Sequence, residues 1–236
     1  HVYCMRRIVE SMLPIERELF FALNGSDSVF LDNVMWTISG RFVWIPLFLF
    51  IFLLFFYKTK WNNALLVSIF FIIVLVLCDQ ISSSLFKPLF ERRRPTHHID
   101  FRNLVDIVNN YRGGMYGFIS GHATTSSGLA VFISLVLKYR GVSIATVAWA
   151  VLYSYTRIYL GVHFITDILA GMIVGVIIAI LLYKLFNWSR NKFIFSPILE
   201  RTVVFSRKHG IILSLFITIY IFILIIFSSF LSTLPH

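Results

Sequence analysis

Apolar runs of membrane-spanning length constrain this chain more than any other feature. About 20 apolar residues in a helix cross the hydrocarbon core of a bilayer. Six stretches reach or approach that length: Phe42 to Tyr57, Ala64 to Phe86, His122 to Tyr139, Val142 to Ile158, His163 to Tyr183 and Ile211 to Leu231. Composition agrees. The 236 residues are 58% hydrophobic and 14% charged, against about 25% charged in an ordinary soluble domain. The mean hydropathy is +0.83. A soluble, disordered or fibrous chain is excluded, and an all-α polytopic membrane bundle of about six transmembrane helices is expected.

Three regions are expected. Residues 1–40 carry Leu19, Phe20, Leu23, Phe30, Leu31, Val34 and Met35 at helical spacing, with acidic and basic residues between them. That pattern predicts two interfacial helices broken at Asn24-Gly25. Residues 41–186 hold five spans, and residues 187–236 hold a basic connector and an extra C-terminal span. Gly171 and Gly175 form a small-xxx-small pair suited to close helix packing. No cleavable signal peptide is expected, because the first long apolar stretch starts only at Phe42. Cys4 and Cys78 are far apart, so neither a disulfide framework nor a cysteine metal site is expected.

The net charge of +10 could point to nucleic acid, but the Lys and Arg lie between the apolar runs and suit a membrane flank plus one anion site. The order of spans puts the long loop Lys87 to Gly121 and the tight turn Tyr159 to Val162 on one face. The connectors on the other face carry ten Lys/Arg and one acidic residue, Glu200. Total Lys/Arg hardly differs between the faces. The positive-inside rule becomes persuasive only if the basic residues of the long loop have another task.

They have a candidate task. Lys87, Arg92, Arg93, Arg94 and Arg102 crowd the loop, Arg157 ends the fourth span, His122 starts the third, and His163 and Asp167 start the fifth. Charge at the edge of an apolar helix is costly unless wet, paired or working. Arg offers bidentate bonds to phosphate oxygens and Lys a movable point charge. Ser120 can cap a helix, and Gly121 lets backbone N–H groups approach an anion at that helix's N-terminus. His163 and Asp167 are four apart and share a helix face, so the carboxylate can fix the imidazole tautomer. The far nitrogen can then attack phosphorus, with His122 as the acid for the leaving oxygen.

These residues resemble the three motifs of the type 2 phosphatidic acid phosphatase family of membrane lipid phosphatases, related to vanadium haloperoxidases. Lys87, six residues, then Arg94-Pro95 is similar to the first. Ser120-Gly121-His122 is similar to the second, with Ile119 where Pro is usual. Arg157, five residues, His163, three residues, Asp167 is similar to the third, with Thr156 where Ser is usual. The resemblance covers roughly Asn24 to Phe186 and leaves out the N-terminal segment and Ile211 to Leu231. It implies a metal-independent hydrolase without a cofactor. His163 would be the nucleophile of a phosphohistidine intermediate, Asp167 its orienting partner and His122 the acid and base. Lys87, Arg94, Arg157, Ser120 and the Gly121 N–H would hold the phosphate.

The expected substrate is a membrane lipid phosphate. Undecaprenyl pyrophosphate comes first, lipid A phosphate close behind, and phosphatidylglycerol phosphate and phosphatidic acid remain. The expected site opens to the periplasmic face of a bacterial inner membrane, and no nucleic-acid partner is expected. The competing class is a phosphate or phospholipid transporter, which would place charges near the midplane of several helices. Here the charges gather at one face. His97, His98 and Asp100 read as a polar loop rather than a metal site. Arg92 and Arg93 are equally compatible with a headgroup contact and with solvated charge. Asp79 either pairs with a basic residue of the site or caps a polar gap.

Overall fold

The computed structural model describes residues 6–7, 10–100, 102–194 and 205–233; Cys4 and Glu200 lie outside them. The described residues are helical, with one isolated bridge between Arg93 and Tyr116 and no strand.

Two short helices open the chain, α1 (Leu13–Leu23) and α2 (Val29–Ser39). Asn24 and Gly25 break them apart, and Gly25 has a φ of 68° that favours glycine. The Ser28 hydroxyl caps α2 by accepting from the Leu31 N–H. A 3₁₀ turn, Phe42–Trp44, leads into α3 (Ile45–Phe56). The α2 and α3 segments are together apolar and long enough to span, but they bend by 69° at the break.

The second span is α4 (Trp61–Gln80), which runs through a π-helical turn, Ile81–Phe86, into α5 (Lys87–Phe90). The Ser82 and Ser83 hydroxyls donate to the Asp79 carbonyl at 2.9 and 2.7 Å, occupying an acceptor at the start of the turn. In a regular helix, residues eight apart sit about 80° from each other around the axis. The wider π turn uses up most of that angle. Asp79 and Lys87 thereby come onto one face.

Then follow α6 (Gly121–Leu137), α7 (Arg140–Tyr159), α8 (Ile165–Phe193), α9 (Arg207–Ile226) and the short α10 (Ser228–Leu231). Among the described residues three helical segments are long and apolar enough to cross a membrane, Trp61–Phe90, Ile165–Phe193 and Arg207–Ile226, and the bent pair makes a fourth. Gly121–Leu137 is apolar but shorter. The α8 helix continues well beyond the Tyr183 limit expected from hydropathy, because Asn187 to Phe193 keep helical backbone past the apolar stretch.

Small residues set how closely α6 and α8 approach. A Cβ on Gly175 would sit 2.2 Å from the Thr124 carbonyl oxygen, and one on Gly171 would sit 2.8 Å from that of Ser120. The Ser127 hydroxyl crosses the same interface to the Met172 carbonyl at 3.2 Å. The large core lies on the α5-distal side, among Leu47, Ile51, Val74, Leu129, Phe132 and Ile178. It leaves the first turn of α6 and of α8 and the last turn of α7 together at the opposite end. There the Asn24 side chain donates to the carbonyls of Asp106 and Tyr159 at 3.1 and 2.9 Å and accepts from the Asp106 N–H at 2.8 Å. One side chain thus ties α1, the long loop and the tight turn into a single roof.

Candidate active site

Under that roof lies a cavity of about 410 Å³. Its wall includes Lys87, Arg94, His122, Arg157 and His163, together with the backbone of Gly121. These three cations and two imidazoles from four separate parts of the chain therefore face one space.

His163 follows the tight turn. Its Nδ1 lies 3.3 Å from Asp167 Oδ2. The two residues sit on consecutive turns, as four-residue spacing requires. Nδ1 is thus engaged, and Nε2 is the nitrogen left for chemistry. The ring is 2% exposed. Burial, then the charges of Arg94, Arg157 and Lys87, push the imidazole well below the ordinary histidine range. The shift favours the neutral ring, the form with a free lone pair.

Asp167 is behind His163 and off the wall. Its Oδ2 accepts from the Phe164 N–H at 3.0 Å, and its Oδ1 accepts from Arg92 Nη1 at 2.7 Å. Arg92 Nη1 also donates to the Thr166 hydroxyl at 2.6 Å, while Nη2 donates to Glu16 Oε1. Glu16, on α1, accepts from the Thr166 N–H at 2.9 Å. The Arg92 guanidinium stacks 4.4 Å from the centroid of Phe164. It is 1% exposed, and although burial works against its charge, Asp167 and Glu16 raise its pKa. Neither solvation nor a headgroup contact describes Arg92: it is an internal strut.

Arg157 is 2% exposed. Its Nη1 donates to the Ser39 hydroxyl and its Nη2 to the Tyr111 hydroxyl at 3.1 Å. Burial opposes ionisation of Tyr111, but the charge and hydrogen bond of Arg157 outweigh it and lower the phenol pKa. Arg94 donates through Nε to the Tyr116 carbonyl at 3.2 Å and through Nη1 to the Val162 carbonyl at 3.4 Å. Burial, then Arg157, lowers its pKa to about 10. Two like charges held this near one another are stabilised by an anion between them. The Lys87 side chain makes no hydrogen bond or ion pair among the described residues.

His122 stands on the first turn of α6. Its Nε2 is 3.4 Å from the Ser39 carbonyl, and its ring lies 4.8 Å from that of Tyr153. Ser120 precedes it and caps α6, accepting from the Ala123 N–H at 3.5 Å; its own N–H donates to the Asp167 carbonyl at 3.0 Å. Ser120 is fully buried, one layer behind the wall that Gly121 and His122 form. Ile119 is also fully buried and packs with Phe118 against Phe86 and Phe90. An apolar residue therefore fills the helix entry where the related motif has proline.

Sequence reasoning did not find Ser39, Arg41, Tyr111 or Glu16. Arg41 lines the cavity, and the other three hold site residues. Each is a single polar residue in a segment that reads as interface or loop, and only the 69° bend and the fold of the long loop bring them in. His97 faces the Gly113 carbonyl at 3.3 Å, and His98 stands 3.8 Å from Asp100. No group of three His, Cys, Asp or Glu among the described residues could hold a metal ion.

Residues 65–191 match the model of the PAP2 superfamily. The chain belongs to the PAP2 superfamily. Over 186 residues it is 41% identical to a lipid A 4'-phosphatase of Porphyromonas gingivalis, covering 79% of each chain. Over 169 residues it is 36% identical to a lipid A 4'-phosphatase of Bacteroides thetaiotaomicron, covering 71% of this chain and 75% of the relative. The fold is similar to that of a PAP2 type phosphatidylglycerolphosphate phosphatase from Bacillus subtilis, with a TM-score of 0.60 at 23% identity over 81% of this chain and 94% of the other. The PAP2 match contains Lys87, Arg94, His122, Arg157, His163 and Asp167. Glu16, Ser39 and Arg41 precede it.

Proposed function

We propose that this membrane lipid phosphatase removes a phosphate from a lipid A type glycolipid through a phosphohistidine on His163. The observation that carries the reaction is the single cavity in which His163, His122 and four cations, Arg41, Lys87, Arg94 and Arg157, meet. The substrate rests on the two lipid A 4'-phosphatases that the chain resembles over most of its length. They favour lipid A phosphate over the undecaprenyl pyrophosphate that the motifs alone put first.

In the first step Nε2 of neutral His163 attacks phosphorus, and the P–O ester bond breaks. The bonding pair leaves with the sugar oxygen, which takes a proton from His122. Asp167 holds Nδ1 and stabilises the charge that develops on the ring. Lys87, Arg94, Arg157 and the Gly121 N–H carry the negative charge of the transition state. Ser120 supports them by fixing the first turn of α6. In the second step water attacks the phosphohistidine, His122 takes its proton, the P–N bond breaks, and inorganic phosphate leaves. No step calls for a metal ion or cofactor.

Six spans, counting Gly121–Leu137 and Arg140–Tyr159, put the cavity and the ten-residue basic connector set on opposite faces. The connectors then face the cytoplasm of a bacterial inner membrane, and the cavity faces the periplasm. On this reading α1 lies in the interface and α2 forms the first arm of the bent span, with residues 41–186 as the rest of the phosphatase core and residues 187–236 as connector and final span.

The test is phosphate release by detergent-purified protein from lipid A, undecaprenyl pyrophosphate, phosphatidylglycerol phosphate and phosphatidic acid, with EDTA present. Turnover of lipid A should exceed the others and survive chelation, and His163→Ala should abolish it while the protein still accumulates in membranes. Loss of turnover with EDTA, or full turnover in His163→Ala, would overturn the mechanism.

A further inference from the structure

The cavity contains one feature that phosphate binding does not explain. Asp79 and Gln80 line it alongside the cations. A carboxylate there repels a phosphate. It also stands within the Trp61–Phe90 span, where a charge is costly unless it faces a polar space and serves it. No cation pairs with it. Among the described residues Asp79 makes no ion pair, and its one side-chain contact is the Gln80 amide, donating to Oδ2 at 3.5 Å. Its backbone is the part engaged by Ser82 and Ser83. Its charge reaches Lys87 through space, short of an ion pair.

Placement shows what the carboxylate can meet. Asp79 precedes Lys87 by eight residues, roughly 10 Å along an axis that the π turn shortens, and both line the cavity. Phosphate oxygens meet their donors at about 2.7–2.9 Å. A substrate whose phosphate sits at Lys87 therefore brings a different part of itself to Asp79. An ionised carboxylate only accepts hydrogen bonds, and an amide side chain both donates and accepts. The matching group is a hydroxyl or amide N–H. A phosphorylated hydrocarbon chain has neither beyond its phosphate, whereas an acylated amino sugar has both. The cavity wall also carries Trp44, Trp149 and Tyr153, with Trp149 and Tyr153 stacked at 5.9 Å. Such rings pack against an apolar sugar face.

We infer that Asp79 and Gln80 form a subsite that binds hydrogen-bond donors on the headgroup and selects a glycolipid phosphate over a phosphorylated hydrocarbon. This rests on the phosphatase reading above and extends it to how the site tells its substrates apart.

The experiment compares kcat/KM of the purified full chain on lipid A 4'-phosphate and on farnesyl phosphate. Asp79→Leu should lower the ratio of the two by about 10-fold or more, the loss of one hydrogen bond to a charged group. Asp79→Asn keeps an acceptor oxygen and should retain most of the ratio. The farnesyl arm shows whether each variant is folded. An unchanged ratio in Asp79→Leu would overturn the subsite, and so would equal losses on both substrates. Wild-type protein that turns over farnesyl phosphate faster than the glycolipid would overturn the subsite and leave the phosphatase standing. Wild-type protein inert on both would overturn both.

Discussion

Arg92 Nη1 lies 2.7 Å from Asp167 Oδ1, on the side of the carboxylate away from His163. The same guanidinium binds Glu16 on α1. A helix outside the PAP2 match is therefore joined by two ion pairs to the partner of the proposed nucleophile. All three side chains are buried, so removing one leaves charge without compensation.

Arg92→Ala should lower kcat by about 10-fold or more, the scale of one charged hydrogen bond, while KM for lipid phosphate stays within about two-fold because Arg92 is off the cavity wall. Arg92→Lys should not restore kcat, since an ammonium cannot bridge two carboxylates as a planar fork does. Glu16→Gln should reduce kcat in the same sense. Steady-state kinetics with a tryptophan-fluorescence melt separates the two effects: a fall in melting temperature with kcat intact would make the network purely structural.

Arg94 gives a prediction about pH. The His163 imidazole is held below its ordinary value of about 6.5 by burial and then by Arg94, Arg157 and Lys87. It therefore stays neutral as pH falls through that value, and the wild-type acidic limb from this group lies lower. Removing a neighbouring positive charge raises the imidazole pKa. Arg94→Gln should shift the acidic limb of kcat/KM to higher pH, besides lowering its plateau. Wild type and variant measured on one substrate share its phosphate titration, so the difference reports the enzyme. A limb that stays in place or moves down would refute the coupling.

The contact of α6 with α8 sets a third expectation. Gly175→Ala places a methyl against the Thr124 carbonyl and the Ser127 hydroxyl, and backbone cannot yield cheaply. Destabilisation of about 1–3 kcal/mol is expected, read as a lower thermal midpoint in detergent. Gly114→Ala, where a Cβ meets nothing within 4 Å, is the control.

Much of the site was legible because its chemistry is local in sequence. His163 and Asp167 are one helical turn apart, and Ser120-Gly121-His122 opens a helix whatever surrounds it. Lys87 and Arg94 flank a span end that hydropathy locates. The rest depends on tertiary folding. Ser39 and Arg157 are 118 residues apart, and nothing near Ser39 marks it as an arginine's partner. Arg92 stood in a run of three arginines of which Arg94 faces the cavity and Arg92 the interior; a loop has no period from which to tell them apart. Hydropathy likewise found the second span and could not show its π turn, since that is a difference of hydrogen-bond register among residues of similar kind.

That turn makes hydrogen-bond register, rather than residue identity, decide which way the chain faces after Phe86. Relaxing the turn into an ordinary helix with every residue kept would swing everything after it about 80° round the axis. The first basic motif would keep every letter of its signature and face the wrong way. A single-codon deletion would leave Asp79 and Lys87 seven residues apart, so that even an ordinary helix would hold them within about 20° of one face.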